Sequence, residues 1–436
     1  MKTEIQTKFT FNLFESLCTK EILLEGFSAV KKNRGSAGVD GQTVMEYLGH
    51  LDDEISQLSQ DLRNWKYKPS PVKRVKIPKP GKDAGVRLLG IPTVRDRVVQ
   101  ASIKLLFEEP IDNTFSEFSF GFRMGRSQKQ ALHQAQQYVK SGKKYVVDID
   151  LEKFFDTVNH DRLIHRLSLY IKDRRILRLI GLTLRSGIME FGVVSVPDKG
   201  TVQGSPLSPL LSNIILDELD KELERRGLEF VRYADDCNIF VKSQKAADRV
   251  MKTVSKFIET KLHLVVNKKK SKVALSSYVT FLGMTLLVSG ILLISNSAMN
   301  RAMVKTRQLI PRGTNKPIEE EIKRINRWYI GWSGYFKMTQ VPAQLAKIEA
   351  HLRRRFRARI VSQQKSKRNL FRKLVKLKVS KRMARSVFSN KKTWVLSHIR
   401  AVERAYSNKW FSKQMKLKTV SDKHEPHWLD GWFKAP

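Results

Sequence analysis

Residues 229–242 read EFVRYADDCNIFVK, and this stretch decides the fold. Apolar, strand-forming residues lie on both sides of Asp235 and Asp236, which predicts a hairpin of two antiparallel strands with both carboxylates at its tip. Aspartate is also common in tight turns for conformational reasons alone. The YADD segment by itself therefore leaves a plain turn as an alternative, and the rest of the chain has to decide.

A second acidic strand is predicted at residues 144–151, KYVVDIDL. Its residues alternate with the period of two that is expected of a strand, so Asp148 and Asp150 share one face and Asp150 lies near the strand end. The following segment contains a possible helix cap at Asn159, which predicts a turn and then a helix.

The spacing of these acids suits one kind of chemistry. Two divalent ions can activate a primer hydroxyl and stabilise a departing pyrophosphate. Mg²⁺ prefers oxygen ligands and shares its shell with substrate phosphates, so short acidic side chains on adjacent strands hold it better than His or Cys. Asp150, Asp235 and Asp236 are therefore predicted to be the catalytic, metal-binding residues of a nucleotidyltransferase.

The composition indicates a polyanionic partner. The 436 residues include 82 Lys and Arg against 42 Asp and Glu, a formal charge of +40. Such an excess repels itself unless phosphates lie against it, which favours nucleic acid. A membrane is the competing polyanion, but the longest apolar stretch, residues 279–294, is interrupted by polar residues and predicts a hairpin around Ser289 and Gly290.

Cysteine usage and the first residues bear on location. Only Cys18 and Cys237 are present, too few for a disulfide framework or a cysteine zinc site. Residues 1–15 mix acids with bases and do not resemble a secretory signal. A cytoplasmic, prokaryotic protein that associates with the nucleoid when on DNA is expected.

The two acidic segments resemble reverse transcriptases, FVRYADD their metal-binding hairpin and DIDLEKFFDTVNH their other acidic strand. The order of further blocks is similar to that of group II intron reverse transcriptases, also called maturases. These blocks are NRGSAGVDG at 33–41, IPKPGKDAGVRLLGIPTVRDRVVQ at 77–100, SFGFRMGRS at 119–127, TVQGSPLSPLLSNIILDELD at 201–220, NKKKSKV at 267–273 and FLG at 281–283.

The resemblance implies an α+β right-hand polymerase whose fingers and palm contain an antiparallel sheet, followed by an α-helical thumb or maturase domain. The expected domains are residues 1–295, with an N-terminal extension over about 1–70, then 296–390 and a basic DNA-binding tail at 391–436. Residues 309–316 predict a linker. The tail contains no Cys and only His398, His424 and His427, so no HNH endonuclease is expected.

The resemblance also implies roles for single residues. Asp150 lies five residues before Phe155, an aromatic that would exclude the ribose 2′-hydroxyl, so Asp150 and not Asp148 is the implied ligand of two Mg²⁺ ions, with Mn²⁺ as a substitute. A core aromatic is the alternative for Phe155. The resemblance further implies that Lys79 and Arg87 contact the triphosphate and that Gln203 contacts the templating base and nucleotide. Lys270, with Lys272 as its rival, is the implied nucleotide contact of the block at 267–273, which resembles a polymerase lysine motif. The implied primer grip consists of Phe281, Leu282 and Gly283.

The last third of the chain is strongly basic. Residues 351–392 contain seventeen Lys or Arg and no acid, with apolar residues at helical intervals. This pattern favours contact with RNA or DNA through phosphates. The expected contacts are Arg353, Arg354, Arg355, Arg357, Lys373 and Lys376. Upstream, Trp328, Trp332, Tyr335 and Phe336 could stack on bases, although core packing is the favoured interpretation.

The leading hypothesis is an RNA-directed DNA polymerase of a group II intron that also binds its intron RNA to promote splicing. Its expected partners are intron RNA, an RNA template with a DNA primer, target DNA and dNTPs, with no membrane. One alternative is an RNA-binding splicing maturase without polymerase activity, against which the intact aspartates and Phe155 argue. Another is a cellular or defence-associated relative without an intron.

Overall fold

The structure is a computed structural model that describes residues 12–78, 85–190, 192–195, 199–201, 203–311, 313–314, 316–364 and 366–421. The chain divides into two compact units, Met1–Leu275 and Ser276–Pro436. Helices and strands both occur in the described part, and the helices dominate after the strand hairpin that opens the second unit. The expected α+β class is confirmed.

The described helices of the first unit begin close to the N-terminus. They are α1 Leu13–Leu17, α2 Lys20–Asn33, α3 Val44–Gly49, α4 Leu51–Arg63, α5 Val94–Asp112, α6 Gln128–Lys140, α7 Phe154–Thr157, α8 His160–Ser168, α9 Arg174–Leu184, α10 Ser208–Arg225 and α11 Gln244–Phe257. Thr43 and Glu46 form a capping box at the start of α3, which satisfies N–H groups that have no partner inside the helix. Leu23, Phe27 and Val30 of α2 join the core, so the expected N-terminal extension is an integral part of this unit.

The first unit contains two sheets. Its strands are β1 Val72–Pro78, β2 Val86–Ile91, β3 Tyr145–Ile149, β4 Ile188–Glu190, β5 Val193–Ser195, β6 Glu229–Tyr233, β7 Asp236–Val241 and β8 Lys272–Leu275. The first sheet has the order β2-β1-β4-β5, and the second has the order β6-β7-β3-β8. In the first sheet β1 is antiparallel to β2 and parallel to β4.

The second sheet brings the two acidic segments side by side. All of its neighbouring strands are antiparallel, with Asp148 of β3 opposite Asn238 of β7 on one side and Lys272 of β8 on the other. Helices α6, α10 and α11 pack against it and bury apolar side chains such as Phe230 and Ile239. The predicted strand and hairpin are therefore confirmed, as is the cap, because the Asn159 side chain accepts from Arg162 N at 2.9 Å.

Helix α10 begins earlier than the sequence suggested. The apolar residues Ile215, Leu219 and Leu223 recur at helical spacing and predict a helix from residue 213, with Pro206, Ser208 and Pro209 in the loop before it. In the structure α10 already starts at Ser208. Proline fits the first turn of a helix because the N–H that it lacks would have no partner there. Pro209 therefore lies in the first turn and does not end the loop.

The second unit opens with a hairpin of β9 Met284–Leu286 and β10 Leu292–Ile294, as expected around Ser289 and Gly290. Leu292 N donates to Gln340 and Ile294 N to Gln344, each at 2.8 Å. These bonds join the hairpin to the helical region. They give the physical reason why the units divide at Leu275, before the boundary expected at residue 295.

The helices of the second unit follow the hairpin. They are α12 Asn296–Leu309, α13 Ile318–Phe336, α14 Pro342–Ser362, α15 Lys367–Lys376, α16 Lys381–Ala384, α17 Thr393–Leu396 and α18 Arg400–Ala405. The segment 309–316 was expected to link the mixed region to the helical region, but it lies between α12 and α13, inside the second unit. No helix in the described ranges is long and apolar enough to cross a membrane. On α13, Tyr329 is buried, whereas Trp328, Trp332 and Phe336 are half-buried and stack on one another.

Candidate active site

The two adjacent aspartates lie at the tip of the hairpin that β6 and β7 form. Tyr233 pairs with Asp236, so Ala234 and Asp235 make the turn between them. Ala234 has a φ of 58°, in the left-handed region that most residues avoid, and the surrounding structure must hold it there. The turn leaves Asp235 half-buried and Asp236 at the surface.

Asp150 directly follows β3, and its backbone is held by the loop at residues 267–271. Asp150 N donates to Ser271 Oγ at 3.0 Å, and Ser271 Oγ donates to Asp150 O at 3.2 Å. Asn267 N donates to the same carbonyl at 2.9 Å. The block that resembles the lysine motif therefore positions an acid of the second sheet.

The carboxylates repel one another. Loss of solvation raises the pKa of Asp236 to about 7, and the charges of Asp235, Asp148 and Asp150 add to this shift. Burial also raises the pKa of Asp148 to about 6, against the charge of Lys272. Burial and the charge of Asp150 raise the pKa of Asp235, while Arg87 and Lys270 oppose this. Acids that share a site in this way favour a bound cation.

Lys270 supplies one such positive charge. Its Nζ lies 3.4 Å from Asp150 Oδ2 and 3.5 Å from Oδ1. Its rival Lys272 instead lies opposite Asp148 in the register of β3 and β8. Within the described ranges, no three His, Cys, Asp or Glu side chains are arranged so that they could hold a metal ion. A metal shared by the three aspartates therefore requires their side chains and that of Lys270 to reorient.

A fully buried arginine supports the hairpin from below. Arg232 donates through Nε to Asp220 Oδ1 at 2.7 Å and through Nη2 to Oδ2 at 2.5 Å. Its Nη1 donates to Asn213 Oδ1 and to Ala234 O, both at 2.9 Å. Arg232 thus connects helix α10 to the residue that precedes Asp235. It fixes the tip without being part of it.

The SFGFR segment lies against the same tip. Arg232 N donates to Phe118 O and Phe120 N to Arg232 O, at 2.9 and 2.8 Å. A Cβ on Gly121 would lie only 2.1 Å from Ala234 N, so no larger residue fits there without moving the hairpin. Asn213 Nδ2 donates to Gly121 O at 2.9 Å.

Two of the predicted nucleotide contacts lie at a cavity of about 160 Å³ next to the first sheet. Phe155 and Gln203 line it together with residues of β2. Phe155 is half-buried, whereas its neighbour Phe154 belongs to the core. Gln203 O accepts from Gly90 N at 2.8 Å, and a Cβ on Gly204 would meet Gly90 O at 2.6 Å. The glycine allows close approach of backbone to backbone.

Arg87 is the one of the two basic residues expected at the triphosphate that falls within the described residues. Arg87 is exposed on β2, and its charge lowers the pKa of Asp235 against the effect of burial. Lys79 lies outside the described residues, as do His424 and His427.

The expected primer-grip residues form a tight turn in the second unit. Leu282 and Gly283 have φ angles of 51° and 78°. Tyr335 Oη donates to Leu282 O at 2.6 Å, whereas the Phe281 side chain is buried in the core. The turn thus presents backbone and Leu282, and the Phe281 side chain serves packing.

Two of the expected RNA contacts are corrected by the structure. Arg355 and Arg357 are only 8% and 7% exposed. The Arg355 guanidinium donates to Ile310 O, and that of Arg357 to Tyr406 O at 2.9 Å. They face inward because carbonyl groups of neighbouring segments need donors. Arg353 and Arg354 remain partly exposed, and Lys373 and Lys376 are exposed.

Sequence reasoning missed Arg232, Asn213, Asp220 and Ser271. All four lie in blocks that carry the resemblance, but an arginine in a strand gives no indication of whether it is buried. The signal that could have identified Arg232 is its position in the strand. It directly follows two apolar residues in Glu229–Tyr233, a strand that is buried along most of its length.

Comparisons with known proteins match both units. The family model described as reverse transcriptase (RNA-dependent DNA polymerase) matches residues 77–286, and the model of the group II intron maturase-specific domain matches residues 299–379. Protein YkfC of Escherichia coli is 30% identical over 280 residues, which are 56% of this chain and 73% of YkfC.

Two longer relatives also match. The group II intron-encoded protein LtrA of Lactococcus lactis is 32% identical over 222 residues, covering 50% of this chain and 36% of LtrA. The putative COX1/OXI3 intron 1 protein of Saccharomyces cerevisiae is 32% identical over 214 residues, covering 49% of this chain and 25% of that protein. This chain therefore matches about a third or less of the length of these two intron-encoded relatives.

Proposed function

This chain belongs to the family of group II intron-encoded reverse transcriptases, and we propose that it copies RNA into DNA with Asp150, Asp235 and Asp236 as its catalytic residues. The observation that carries the proposal is the second sheet, whose register brings β3 and the β6–β7 hairpin together so that the charge of Asp150 helps to raise the pKa values of Asp235 and Asp236. A plain turn at the hairpin tip would not require that crowding of charge.

The donor chemistry of these residues fits two Mg²⁺ ions, because all three side chains offer oxygen and carry excess negative charge. When bound, the ions would activate the primer hydroxyl and stabilise the departing pyrophosphate. Lys270 partly neutralises Asp150 and would become available to a triphosphate once it leaves that carboxylate. Mn²⁺ offers a similar oxygen-seeking charge.

The incoming dNTP would occupy the cavity that Phe155 lines. Arg87 would contact the triphosphate from β2, Lys79 is the second contact proposed for the triphosphate, and the Gln203 loop would meet the templating base. Phe155 would fill the space that a ribose 2′-hydroxyl needs. We expect Phe155→Ala to admit ribonucleotides, measured as the ratio of dNTP to rNTP incorporation, whereas an unchanged ratio would remove Phe155 from this role.

The second unit would bind RNA. Its exposed bases Lys373 and Lys376, together with Arg353 and Arg354, suit phosphates of structured intron RNA or of the template–primer duplex, and the Leu282–Gly283 turn suits a primer strand. Binding of intron RNA would support its splicing, and binding of target DNA its mobility. With these substrates, we propose that the protein acts in a prokaryotic cytoplasm, and on the nucleoid when it engages DNA.

Primer extension on an RNA template tests the polymerase proposal. Asp235→Asn keeps the size of the side chain but removes the charge, so extension should fall by about a thousandfold or more. Asp248→Asn is the matched control, because Asp248 is exposed on α11 and bonds only Gln244 among the described residues. Equal extension by wild type and Asp235→Asn would refute the assignment.

The intron-related part of the proposal needs its own test. Splicing of RNA transcribed from the surrounding locus should proceed faster with the protein than without it, and Asp235→Asn should retain this effect. A locus without an intron would instead favour a cellular or defence-associated relative.

A further inference from the structure

The short helix that carries Phe155 depends on support from outside itself. Helix α7 consists only of Phe154–Thr157, and Lys153 before it has a φ of 48°, in the left-handed region. A single helical turn is marginal in water, and the carbonyl groups at its end find no donor within the helix. The position of Phe155 therefore depends on the groups that bind those carbonyls.

The segment 199–201 supplies the missing donors. Thr201 N donates to Phe155 O at 2.6 Å, and Gly200 N donates to Val158 O at 2.7 Å. Both bonds join backbone to backbone, so they do not depend on a side chain of the segment. The backbone of Phe155 is therefore held by a segment that lies far from it in the sequence.

Gly200 approaches α7 so closely because it has no side chain. Its φ is 103°, and a Cβ there would lie 3.1 Å from both Phe155 O and Asp156 O. A left-handed φ and so close a contact are each unfavourable for any residue with a Cβ. Glycine thus allows the segment to lie directly against the carbonyl of Phe155.

His160 binds the other polar backbone group of Gly200. It lies at the start of α8, is only 3% exposed, and has its Nε2 atom 2.6 Å from Gly200 O. A carbonyl oxygen only accepts, so Nε2 carries the hydrogen and donates it. Residues 158–160 therefore bind both the N–H and the carbonyl of Gly200, an arrangement that we call the Gly200 clamp.

The Gly200 clamp lies at the cavity proposed for the incoming nucleotide. Four residues of this region border that cavity, namely Phe155, Gly200, Thr201 and Gln203. The Phe155 ring packs edge-to-face on Phe154 of the core, with 5.3 Å between the ring centres. The core thus supports one side of the ring, and the Gly200 clamp holds the backbone to which the ring is attached.

We propose that His160 is a positioning residue that fixes Phe155 through Gly200, and that it thereby contributes to the choice of deoxynucleotides over ribonucleotides. His160 acts only as a hydrogen-bond donor to backbone and exchanges no proton with the substrate. Without that donor, segment 199–201 and Phe155 can shift and leave room for a 2′-hydroxyl. The inference rests on the proposed function, because it requires that the cavity accepts a nucleotide and that Phe155 meets the sugar.

Incorporation of a single dNTP, and of the matching rNTP, on an RNA template tests this role in the full chain. His160→Phe keeps an aromatic ring but removes the donor, so the ratio of kcat/KM for dNTP to that for rNTP should fall about tenfold, as for one lost hydrogen bond at a buried acceptor. His160→Gln should restore most of the ratio, because its amide nitrogen can donate in place of Nε2. His165→Ala is the matched control on the same helix; His165 is exposed, and the ratio should stay within about twofold of wild type.

Glycine variants disturb the same contact from its other side. Gly200→Ala pushes segment 199–201 away from Phe155 and should also lower the ratio. Gly192→Ala is its control, because Gly192 has a φ of 83° but a Cβ there would meet nothing within 4 Å, so the ratio should not change. A merely structural defect would lower dNTP and rNTP incorporation equally and leave the ratio as it is.

A double substitution shows whether His160 acts through Phe155. In Phe155→Ala/His160→Phe the ring that His160 positions is absent, so discrimination should be no worse than in Phe155→Ala alone. A further loss in the double variant would overturn the proposal, because His160 would then act by another route.

The proposal and the polymerase function fail in different ways. An unchanged ratio in His160→Phe and in Gly200→Ala, with discrimination lost in Phe155→Ala, would overturn the role of His160 and leave the polymerase standing. Absence of dNTP incorporation by the wild type would reject the polymerase and the role of His160 with it.

Discussion

Arg232 under the acidic hairpin and Arg355 in helix α14 are both buried, yet their guanidinium groups have different partners. Arg232 neutralises Asp220 and holds the turn before Asp235. The hydrogen bonds described for Arg355 instead go to the backbone carbonyls of Arg307 and Ile310. The first arginine positions chemistry, and the second joins helix α14 to the end of α12. A buried cation can therefore serve either a site or the packing of helices, and its partners distinguish the two.

The largest effect is expected from breaking the ion pair under the hairpin. Arg232→Met leaves Asp220 charged and fully buried, which should cost about 3–5 kcal/mol in the free energy of unfolding measured by denaturant titration. Primer extension should be lost as well, because Ala234 O loses its donor.

A second substitution separates these two effects. In Arg232→Met/Asp220→Leu no buried charge remains at this pair, so much of the stability should return. Extension should stay low, since the hairpin tip is still unsupported. Recovery of both properties would show that Arg232 serves stability alone.

Substitution of Arg355 should lower stability and leave RNA affinity nearly unchanged, whereas substitution of an exposed lysine should do the reverse. Arg355→Met removes charge-assisted hydrogen bonds worth about 1.5–3 kcal/mol each, so the free energy of unfolding should fall by about 2 kcal/mol while RNA affinity changes little. Lys373→Met, at an exposed position of α15, should weaken RNA binding and leave stability within about 0.5 kcal/mol. RNA affinity that falls more for Arg355→Met, with stability unchanged, would identify Arg355 as an RNA contact.

The smallest effect is expected in the melting temperature, on substitution of Asp236 at the hairpin tip. The pKa of Asp236 is raised to about 7 in the folded protein, from its ordinary value of 3.8 in the unfolded chain. The folded state therefore binds more protons between these values, and ionisation of Asp236 lowers stability as pH rises through about 7. Asp236→Asn should raise the melting temperature by a few degrees at pH 8 and by nothing below about pH 4. A gain of equal size at both pH values would exclude charge repulsion as its cause.

Local patterns were sufficient to predict the elements of the site. The alternation around Asp150, the apolar arms of the YADD hairpin and the cap at Asn159 depend on neighbouring residues, and the structure has each of them. The contact of Ser271 with Asp150 and that of Gly121 with Ala234 join residues more than a hundred positions apart. Such pairs depend on tertiary packing, which a single sequence does not encode in any local period.

The arginines of α14 show a second limit of prediction from a single sequence, which concerns burial. RRRFRAR contains charge at almost every position, so its helical period cannot identify which guanidinium groups face inward. Burial is decided by carbonyl acceptors at Ile310 and Tyr406, on segments that the helix meets only in the folded unit. The start of α10 differs for a local reason, since Pro209 is compatible with a first helical turn and with a loop.

The central claim is that catalysis uses Asp150, at the end of β3, and not Asp148, two residues earlier on the strand. Single-turnover incorporation of one dNTP on an RNA template compares Asp150→Asn with Asp148→Asn directly. We predict that Asp150→Asn abolishes incorporation within the limit of detection, whereas Asp148→Asn stays within about tenfold of wild type. Incorporation that survives in Asp150→Asn, or is lost equally in both variants, would contradict the assignment.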